Sequence, residues 1–232
     1  MSTWDIAAAL ARQVERVAAA AEAAGRAADD VTLVVATKSV DVDRTLEAVA
    51  AGARVLGESR VQEIVAKAPA LEALDAPPQV HFIGSLQSNK INAALRHVSC
   101  VETVHTTSLA AALGARCVRD GRTLDVLVQV NVSGEPQKSG VAPDEALDLA
   151  LAVAATDGLR LRGLMTIGAN SPVEAVVRAG YARLRALRDD VLAAGVVSAT
   201  ELSMGMSGDL EWAVAEGATI VRVGTAIVGP RG

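Results

Sequence analysis

Residues 124–132 read Leu-Asp-Val-Leu-Val-Gln-Val-Asn-Val, and every second residue from 126 onward is valine. Successive side chains of a strand point to opposite faces, so one face of this segment carries only valine after Leu124. The other face carries Asp125, Leu127, Gln129 and Asn131, and it becomes polar toward its C-terminal end. This pattern predicts a strand whose valine face packs against helices and whose second face lines a barrel with a polar mouth.

Short β-branched runs of the same kind alternate along the chain with segments rich in Ala, Leu, Glu and Arg. The predicted strands are 31–37, 53–57, 80–84, 100–104, 124–132, 159–165, 200–203 and 219–223. The predicted helices between and after them are 42–51, 60–74, 88–95, 107–120, 143–156, 172–194 and 208–216. Such alternation indicates parallel strands joined by right-handed crossovers. Eight units favour an α/β fold of the closed (β/α)8 TIM-barrel type over an open doubly wound sheet.

An extra amphipathic helix is predicted before the first strand, over residues 3–25, where Ile6, Leu10, Val14, Val17 and Ala21 recur at steps of three and four. It would cover either the outer wall of the barrel or its bottom. The chain shows no internal linker, so residues 1–232 are expected to form a single domain.

Composition excludes several classes of function. The net charge of −5 and the aromatic content of 2% argue against a nucleic-acid groove or an anionic membrane surface as partner. Two cysteines and three scattered histidines predict neither a disulfide scaffold nor a metal site. The N-terminus lacks a basic signal region, and no apolar run approaches the ~20 residues that span a bilayer. A soluble, cytoplasmic protein is expected.

Two cations are predicted inside the barrel. If the more apolar face of the first strand packs on the helices, Lys38 points into the barrel mouth. By the same alternation Val221 and Val223 face the helices, and Arg222 points inward. An unpaired buried charge costs several kcal/mol, so these cations need an anionic or acceptor partner.

Their positions suggest a chemistry. A lysine that is partly desolvated near another cation has a depressed pKa and forms imines readily, which favours a Schiff base to an aldehyde. An arginine facing a pyridine nitrogen would leave that nitrogen unprotonated and weaken the ring as an electron sink. The competing interpretations are a solvated Lys38 and an Arg222 that pairs with a phosphate or with an interior acid.

The loops after the seventh and eighth strands are the usual phosphate site of this barrel. Ser203-Met-Gly-Met-Ser-Gly-Asp209 follows the seventh strand and opens a helix, and Gly224-Thr225 follows the eighth. Small residues and free N–H groups at a helix start suit phosphate binding. The alternative is ordinary helix capping by Ser207 or Gly208, with a tight turn at Gly224.

Ordered segments along nearly the whole chain resemble the YggS/PROSC family of pyridoxal phosphate (PLP) homeostasis proteins. The segments that carry the resemblance are Val35–Lys38, Gly57–Glu63, His81–Lys90, Lys138–Gly140, Arg162–Met165, Leu202–Ser207 and Val221–Gly229. The family commonly has Asn where Ser59 stands, and its usual Asp is replaced by His105.

The resemblance implies a PLP barrel of the alanine-racemase N-terminal type. It assigns Lys38 to the lysine that forms the internal aldimine and Arg222 to the arginine facing the pyridine nitrogen. It also assigns a set of residues to the phosphate segments, namely Ser203, Gly205, Met206, Ser207, Gly224 and Thr225. Ser59, which replaces the family's Asn, is a further candidate for a cofactor contact. By their places at strand ends, Ile83 and Met165 are candidates for packing on the ring, and the alternative for both is an ordinary core residue. The implied role is to bind, buffer or deliver PLP in vitamin B6 and amino-acid homeostasis without robust catalysis. PLP-dependent apoenzymes are possible partners, and a monomer is expected.

Two alternatives stay open at this point. The first is a PLP-dependent amino-acid racemase with weak activity. It would need a second acid/base, commonly a tyrosine, whereas the one tyrosine, Tyr181, falls on a predicted helix of the outer ring. The second alternative ignores the resemblance and is a barrel enzyme acting on a small phosphorylated metabolite.

Overall fold

Eight parallel strands close into a barrel in the computed structural model, which describes residues 4–230. The strands are β1 Thr32–Ala36, β2 Val55–Glu58, β3 Gln79–Phe82, β4 Cys100–Val104, β5 Leu124–Gln129, β6 Leu159–Met165, β7 Glu201–Ser203 and β8 Ile220–Val223. Each strand pairs with the next one in sequence, and β8 pairs with β1. The predicted (β/α)8 barrel is confirmed.

Helices follow the strands around the outside of the barrel. They are α1 Ile6–Ala23, α2 Val42–Ala50, α3 Val61–Glu72, α4 Ile91–Ala94, α5 Thr107–Arg119, α6 Ala146–Ala154, α7 Glu174–Ala193, α8 Leu210–Ala215 and α9 Thr225–Val228. Short 3₁₀ turns cover Ala28–Asp30 and Ser88–Lys90. Within residues 4–230 no helix combines the length and apolar character needed to cross a bilayer.

Two predicted elements differ from the structure, and one element of the structure was not predicted. The helix predicted over 88–95 is a 3₁₀ turn followed by the four-residue α4. The fifth strand ends at Gln129 instead of residue 132, because Val130 makes only an isolated bridge with Val141 as the chain leaves the sheet. The short helix α9 was not predicted, since one turn is too brief to show a helical period.

The valine face of β5 packs outward, as the alternation predicts. Val126, Val128 and Val130 are fully buried in the core between strands and helices. A second, smaller cluster fills the barrel itself, and its buried members are Val34, Val55, Cys100, Leu127, Met165 and Ile220. Burying one such aliphatic side chain contributes about 1.5–3 kcal/mol to folding, so both layers stabilise the barrel.

Helix α1 lies on the outer wall of the barrel, where it packs against α8, α9 and α2. Its N-cap is Asp5, whose carboxylate accepts a hydrogen bond from the backbone N–H of Ala8 at 2.9 Å. The helix ends before Gly25, whose φ of 69° lies in the left-handed region. The predicted first residue of this helix, residue 3, lies outside the described residues.

Gly163 marks a close approach of β6 to β7. Its φ is 153°, and a Cβ atom placed there would lie 1.9 Å from the backbone oxygen of Glu201, its partner in the ladder. A side chain at this position cannot be accommodated without moving β7, which carries Ser203 at its end.

Replacing Gly163 with alanine should therefore destabilise the barrel by roughly 3 kcal/mol or more, through the clash and the strained backbone together. Gly121→Ala is the matched control, because Gly121 also has a positive φ, of 63°, but a Cβ there meets nothing within 4 Å. The control should lose about 1 kcal/mol. Urea unfolding of the three proteins measures both effects, and equal losses would contradict the role given to the β6–β7 contact.

Candidate functional site

The C-terminal ends of β1, β7 and β8 meet at the mouth of the barrel. In the β1–β8 ladder Val34 lies opposite Arg222, and β7 pairs with β8 on its other side. Lys38 lies two residues past β1 and lines a cleft with Ser39, Arg44, Gly224 and Thr225. The structure thus brings the predicted lysine and the second predicted phosphate segment to one cleft.

The side chain of Lys38 is exposed, so the expected partial desolvation is not met. It makes no hydrogen bond or ion pair with any residue in the range 4–230. The backbone around it is fixed. Ser39 has a φ of 61°, and its N–H donates to Glu63 Oε2 at 2.8 Å, while the carbonyl oxygen of Thr37 accepts from Lys67 Nζ at 2.7 Å. The Nζ group of Lys38 is therefore unpaired, while the backbone on both sides of it is fixed by hydrogen bonds.

A buried ion pair lies behind this segment. Lys67 Nζ and Thr37 Oγ1 both donate to Glu58 Oε1, each at 2.6 Å, and the side chains of Lys67 and Glu58 are 3% exposed. Glu58 Oε2 is buried without a partner. Burial raises the pKa of Glu58 above its ordinary value, and the hydrogen bonds from Lys67 and Thr37 offset this only in part. The ion pair holds the Lys38 segment without removing the cost of burying Glu58.

Arg222 points into the barrel, as predicted, and is 5% exposed. Its NH1 group donates to Ser203 Oγ at 2.5 Å, and its NH2 group donates to the backbone oxygen of Thr166 at 2.7 Å. NH1 also lies 3.9 Å from Glu102 Oε2, which makes Glu102 the interior acid that the alternative interpretation of Arg222 required. Within residues 4–230 the Nε–H group of Arg222 makes no hydrogen bond, since its partners are bound by NH1 and NH2.

Glu102 is the fully buried centre of this network. It accepts a hydrogen bond from Ser203 Oγ at 2.5 Å, and His81 Nδ1 lies 2.7 Å from its other oxygen. Burial alone would raise its pKa, but the hydrogen bond and charge of His81, the charge of Arg222 and the Ser203 hydrogen bond lower the pKa below its ordinary value. The hydroxyl of Ser203 is therefore engaged inside the barrel, by Glu102 and Arg222. Sequence reasoning missed Glu102, although it shares the inward parity of Cys100 in the same strand.

The loop after β7 is braced from the outer ring. Asp209 accepts hydrogen bonds from the backbone N–H of Met206 at 2.6 Å and from Tyr181 Oη at 2.7 Å. Tyr181 is fully buried, and burial together with the Asp209 charge raises the pKa of its hydroxyl far above the ordinary value. The tyrosine lies on a helix of the outer ring, as predicted, but its hydroxyl reaches the loop and stabilises it.

Both predicted phosphate loops offer free backbone donors. Four backbone N–H groups donate no hydrogen bond within the described part of the chain, those of Ser207 and Gly208 after β7 and of Thr225 and Ala226 after β8. Gly205 has a φ of 94°, and a Cβ there would lie 2.5 Å from that of Ala213, so only glycine fits. Adjacent loops with small residues and unpaired N–H groups are a suitable phosphate cradle.

The other four residues predicted to contact the cofactor lie outside the cleft of Lys38. Met165 is 1% exposed and belongs to the cluster inside the barrel. Ile83 is half-buried, and a Cβ at Gly57 would lie 2.8 Å from its Cδ1 atom, which places it at the mouth above β2. Ser59 is half-buried with its backbone against Gly84. Met206 is exposed and lines a neighbouring cleft with Lys138, apart from Lys38.

Comparison with known proteins identifies the family. The family model for the alanine racemase N-terminal domain matches residues 7–232. A pyridoxal phosphate homeostasis protein of Pseudomonas aeruginosa is 42% identical over 222 residues, which are 96% of this chain and 94% of that protein. The chain belongs to the family of pyridoxal phosphate homeostasis proteins.

Two further comparisons agree with this assignment. The pyridoxal phosphate homeostasis protein of Escherichia coli K12 is 39% identical, with 98% of this chain and 97% of that protein covered. The structure of PipY from Synechococcus elongatus with PLP bound superposes with a TM-score of 0.85 at 33% identity, covering 97% of this chain and all of that one. The resemblance inferred from the ordered segments is confirmed, and both curated relatives are named as homeostasis proteins and not as enzymes.

The two buried carboxylates, Glu102 and Glu58, predict opposite pH dependence of stability. Because the pKa of Glu102 is lowered, its ionisation stabilises the fold at pH values above the ordinary carboxyl value of 4.5. This stabilisation is lost as the pH falls through the folded-state pKa. Because the pKa of Glu58 is raised, its protonation stabilises the fold at pH values below 4.5. This stabilisation is lost as the pH rises through the folded-state pKa.

As the pH falls from 7 to 4, the wild type should lose stability relative to Glu102→Gln and gain it relative to Glu58→Gln. Each glutamine keeps the shape of the side chain and does not titrate, so each variant serves as the control for the other. Urea midpoints at the two pH values measure the differences. A change of the same sign for both variants would contradict the assigned shifts.

Proposed function

We propose that this chain binds PLP through a reversible Schiff base to Lys38 and acts in PLP homeostasis as a carrier, without robust catalysis of its own. The observation that carries the proposal is the free amine of Lys38 in one cleft with Gly224 and Thr225, in a barrel of the PLP homeostasis family. The covalent bond would retain the cofactor, and its reversibility would allow release to PLP-dependent apoenzymes.

Lys38 is favoured over the other lysines by its surroundings. The sequence has four lysines, at positions 38, 67, 90 and 138. Lys67 is held by Glu58, and Lys138 Nζ donates to Glu135 Oε1 at 2.5 Å and to the backbone oxygen of Gly168 at 2.7 Å. An amine must be free and unprotonated to attack an aldehyde, and these two are tied to acceptors. Lys90 does not line the cleft that contains Gly224.

The remaining groups divide between the two ends of the cofactor. The free N–H groups of the loops after β7 and β8 would hold the phosphate, and the Nε–H of Arg222 would donate to the pyridine nitrogen. Because a guanidinium does not give up its proton near neutral pH, the ring nitrogen would stay unprotonated, which weakens the ring as an electron sink. This supports binding and storage over turnover.

The racemase alternative receives no support from Tyr181. Its hydroxyl is buried and donates to Asp209, so it is not available to exchange a proton with a ligand at the mouth. We expect the chain to act as a monomer, because the residues that form the proposed site all come from one barrel.

Lys38→Ala should abolish the visible absorption band that appears when PLP is added to the protein, because the alanine variant cannot form the imine. Lys90→Ala is the matched control and should keep the band. After borohydride reduction of the wild type, peptide mass analysis should locate the pyridoxyl adduct on Lys38. A wild type that shows no band in excess PLP would overturn the proposal, as would an adduct only on another lysine.

Tyr181→Phe should weaken the phosphate site, because it removes the hydrogen bond that fixes Asp209 and, through it, the N–H of Met206. Because the bond also exists without ligand, Kd should rise by up to roughly tenfold, the value reached if the full ~1.4 kcal/mol is needed to order the loop. Competition between inorganic phosphate and PLP measures the effect, with Val176→Ala, an exposed change on the same helix, as control. An unchanged phosphate affinity in Tyr181→Phe would show that the loop does not need this brace.

A further inference from the structure

A polar cleft opens at the end of the barrel opposite Lys38. Its lining includes Gln79, His81, Cys100, Arg162 and Glu201, which stand at the beginnings of strands or face the lower interior. His81 is 8% exposed and lines this cleft, while its Nδ1 atom is engaged by Glu102. The floor of the barrel therefore gives solvent a route to one end of the buried network.

The network crosses the barrel from floor to mouth as a continuous chain of short contacts. His81 Nδ1 lies 2.7 Å from Glu102 Oε1, Ser203 Oγ lies 2.5 Å from Glu102 Oε2, and Arg222 NH1 lies 2.5 Å from Ser203 Oγ. These four side chains come from four different strands. Because the barrel interior around them is apolar, electrostatic interactions along the chain are stronger than in water.

Glu102 is the carboxylate nearest to Arg222 and the one that forms an ion pair with it in residues 4–230, at 3.9 Å. The acids on the floor are engaged elsewhere. Glu201 pairs with Arg162 at 3.3 Å, and Asp125 pairs with Arg160 at 2.5 Å. At the mouth, Asp209 is held by Tyr181 and by the N–H of Met206. Glu102 is therefore the carboxylate that compensates the charge of Arg222 most directly within residues 4–230.

We propose that Glu102 is a positioning residue for the cofactor ring, which orients Arg222 through Ser203 and partly cancels its charge, and that His81 holds Glu102 in this role. The inference rests on the proposed PLP site and concerns how that site is tuned. With Glu102 anionic, the ring nitrogen would accept from an Arg222 that is held in place and whose positive charge is partly cancelled. Without that anion, the mouth would become more positive, and a protonated imine on Lys38 would be disfavoured.

The test is a pH titration of the visible absorption of the PLP-loaded protein. In Glu102→Gln the midpoint for imine deprotonation should fall by roughly half a pH unit, because the lost unit charge acts on Lys38 through Arg222 and not by direct contact. Glu216→Gln is the control, because Glu216 is a largely buried carboxylate that pairs with two arginines, Arg178 and Arg185, away from the site. It should lower stability and leave the midpoint unchanged.

A second pair of variants covers the case in which Glu102→Gln does not fold. His81→Ala removes the hydrogen bond that keeps Glu102 ionised and should lower the midpoint as well. His81→Asn should restore it, because the amide nitrogen can donate from a position close to that of Nδ1.

The outcomes separate the two proposals. No visible band in the wild type overturns the proposed function. A normal band with the same midpoint in wild type, Glu102→Gln and His81→Ala overturns this inference alone. A midpoint shift in Glu216→Gln equal to that in Glu102→Gln also overturns it, because the effect would then follow from destabilisation in general.

Discussion

The carboxylate of Glu102, fully buried in the barrel, is the constraint on which the mouth of this molecule depends. A buried arginine without a counter-charge costs several kcal/mol, and the aliphatic cluster around Arg222 offers none. Glu102 supplies the charge, Ser203 supplies the hydrogen bond between them, and Thr166 accepts from the other side of the guanidinium. Removing one member takes a hydrogen bond from a desolvated partner that has few others, so the members of the network stabilise one another.

The barrel could be predicted from the sequence because its strands are short and differ between their two faces. The valine alternation of β5 and the inward parity of Arg222 needed only the period of two. The errors came where tertiary contacts override local pattern. Val130 and Val132 continue the alternation of β5, yet the chain turns away toward Val141, and no property of residues 130–132 alone signals that departure. The four-residue helices α4 and α9 are too short to have a period.

The site was predicted less completely than the fold. Lys38 and Arg222 follow from strand parity, and the phosphate loops follow from their glycines and their place after β7 and β8. The supporting residues depend on partners that are distant in sequence. Lys67 meets Glu58 from a helix on the outside, and Tyr181 meets Asp209 across 28 positions. The desolvation expected for Lys38 is absent because the residue lies past the end of β1, where the barrel wall no longer covers it.

The hydrogen bond between Tyr181 and Asp209 couples local opening of the outer ring to the loop at the mouth. It ties a loop at the mouth to the middle of α7, the longest helix described. Any local opening that lifts this part of α7 from the barrel would also release the loop. A ligand that binds the closed loop would then oppose that opening by mass action, and backbone amides of α7 would exchange more slowly with solvent although they touch no ligand. Ligand binding at the mouth would then be detectable as slower amide exchange in a helix on the outer surface of the barrel.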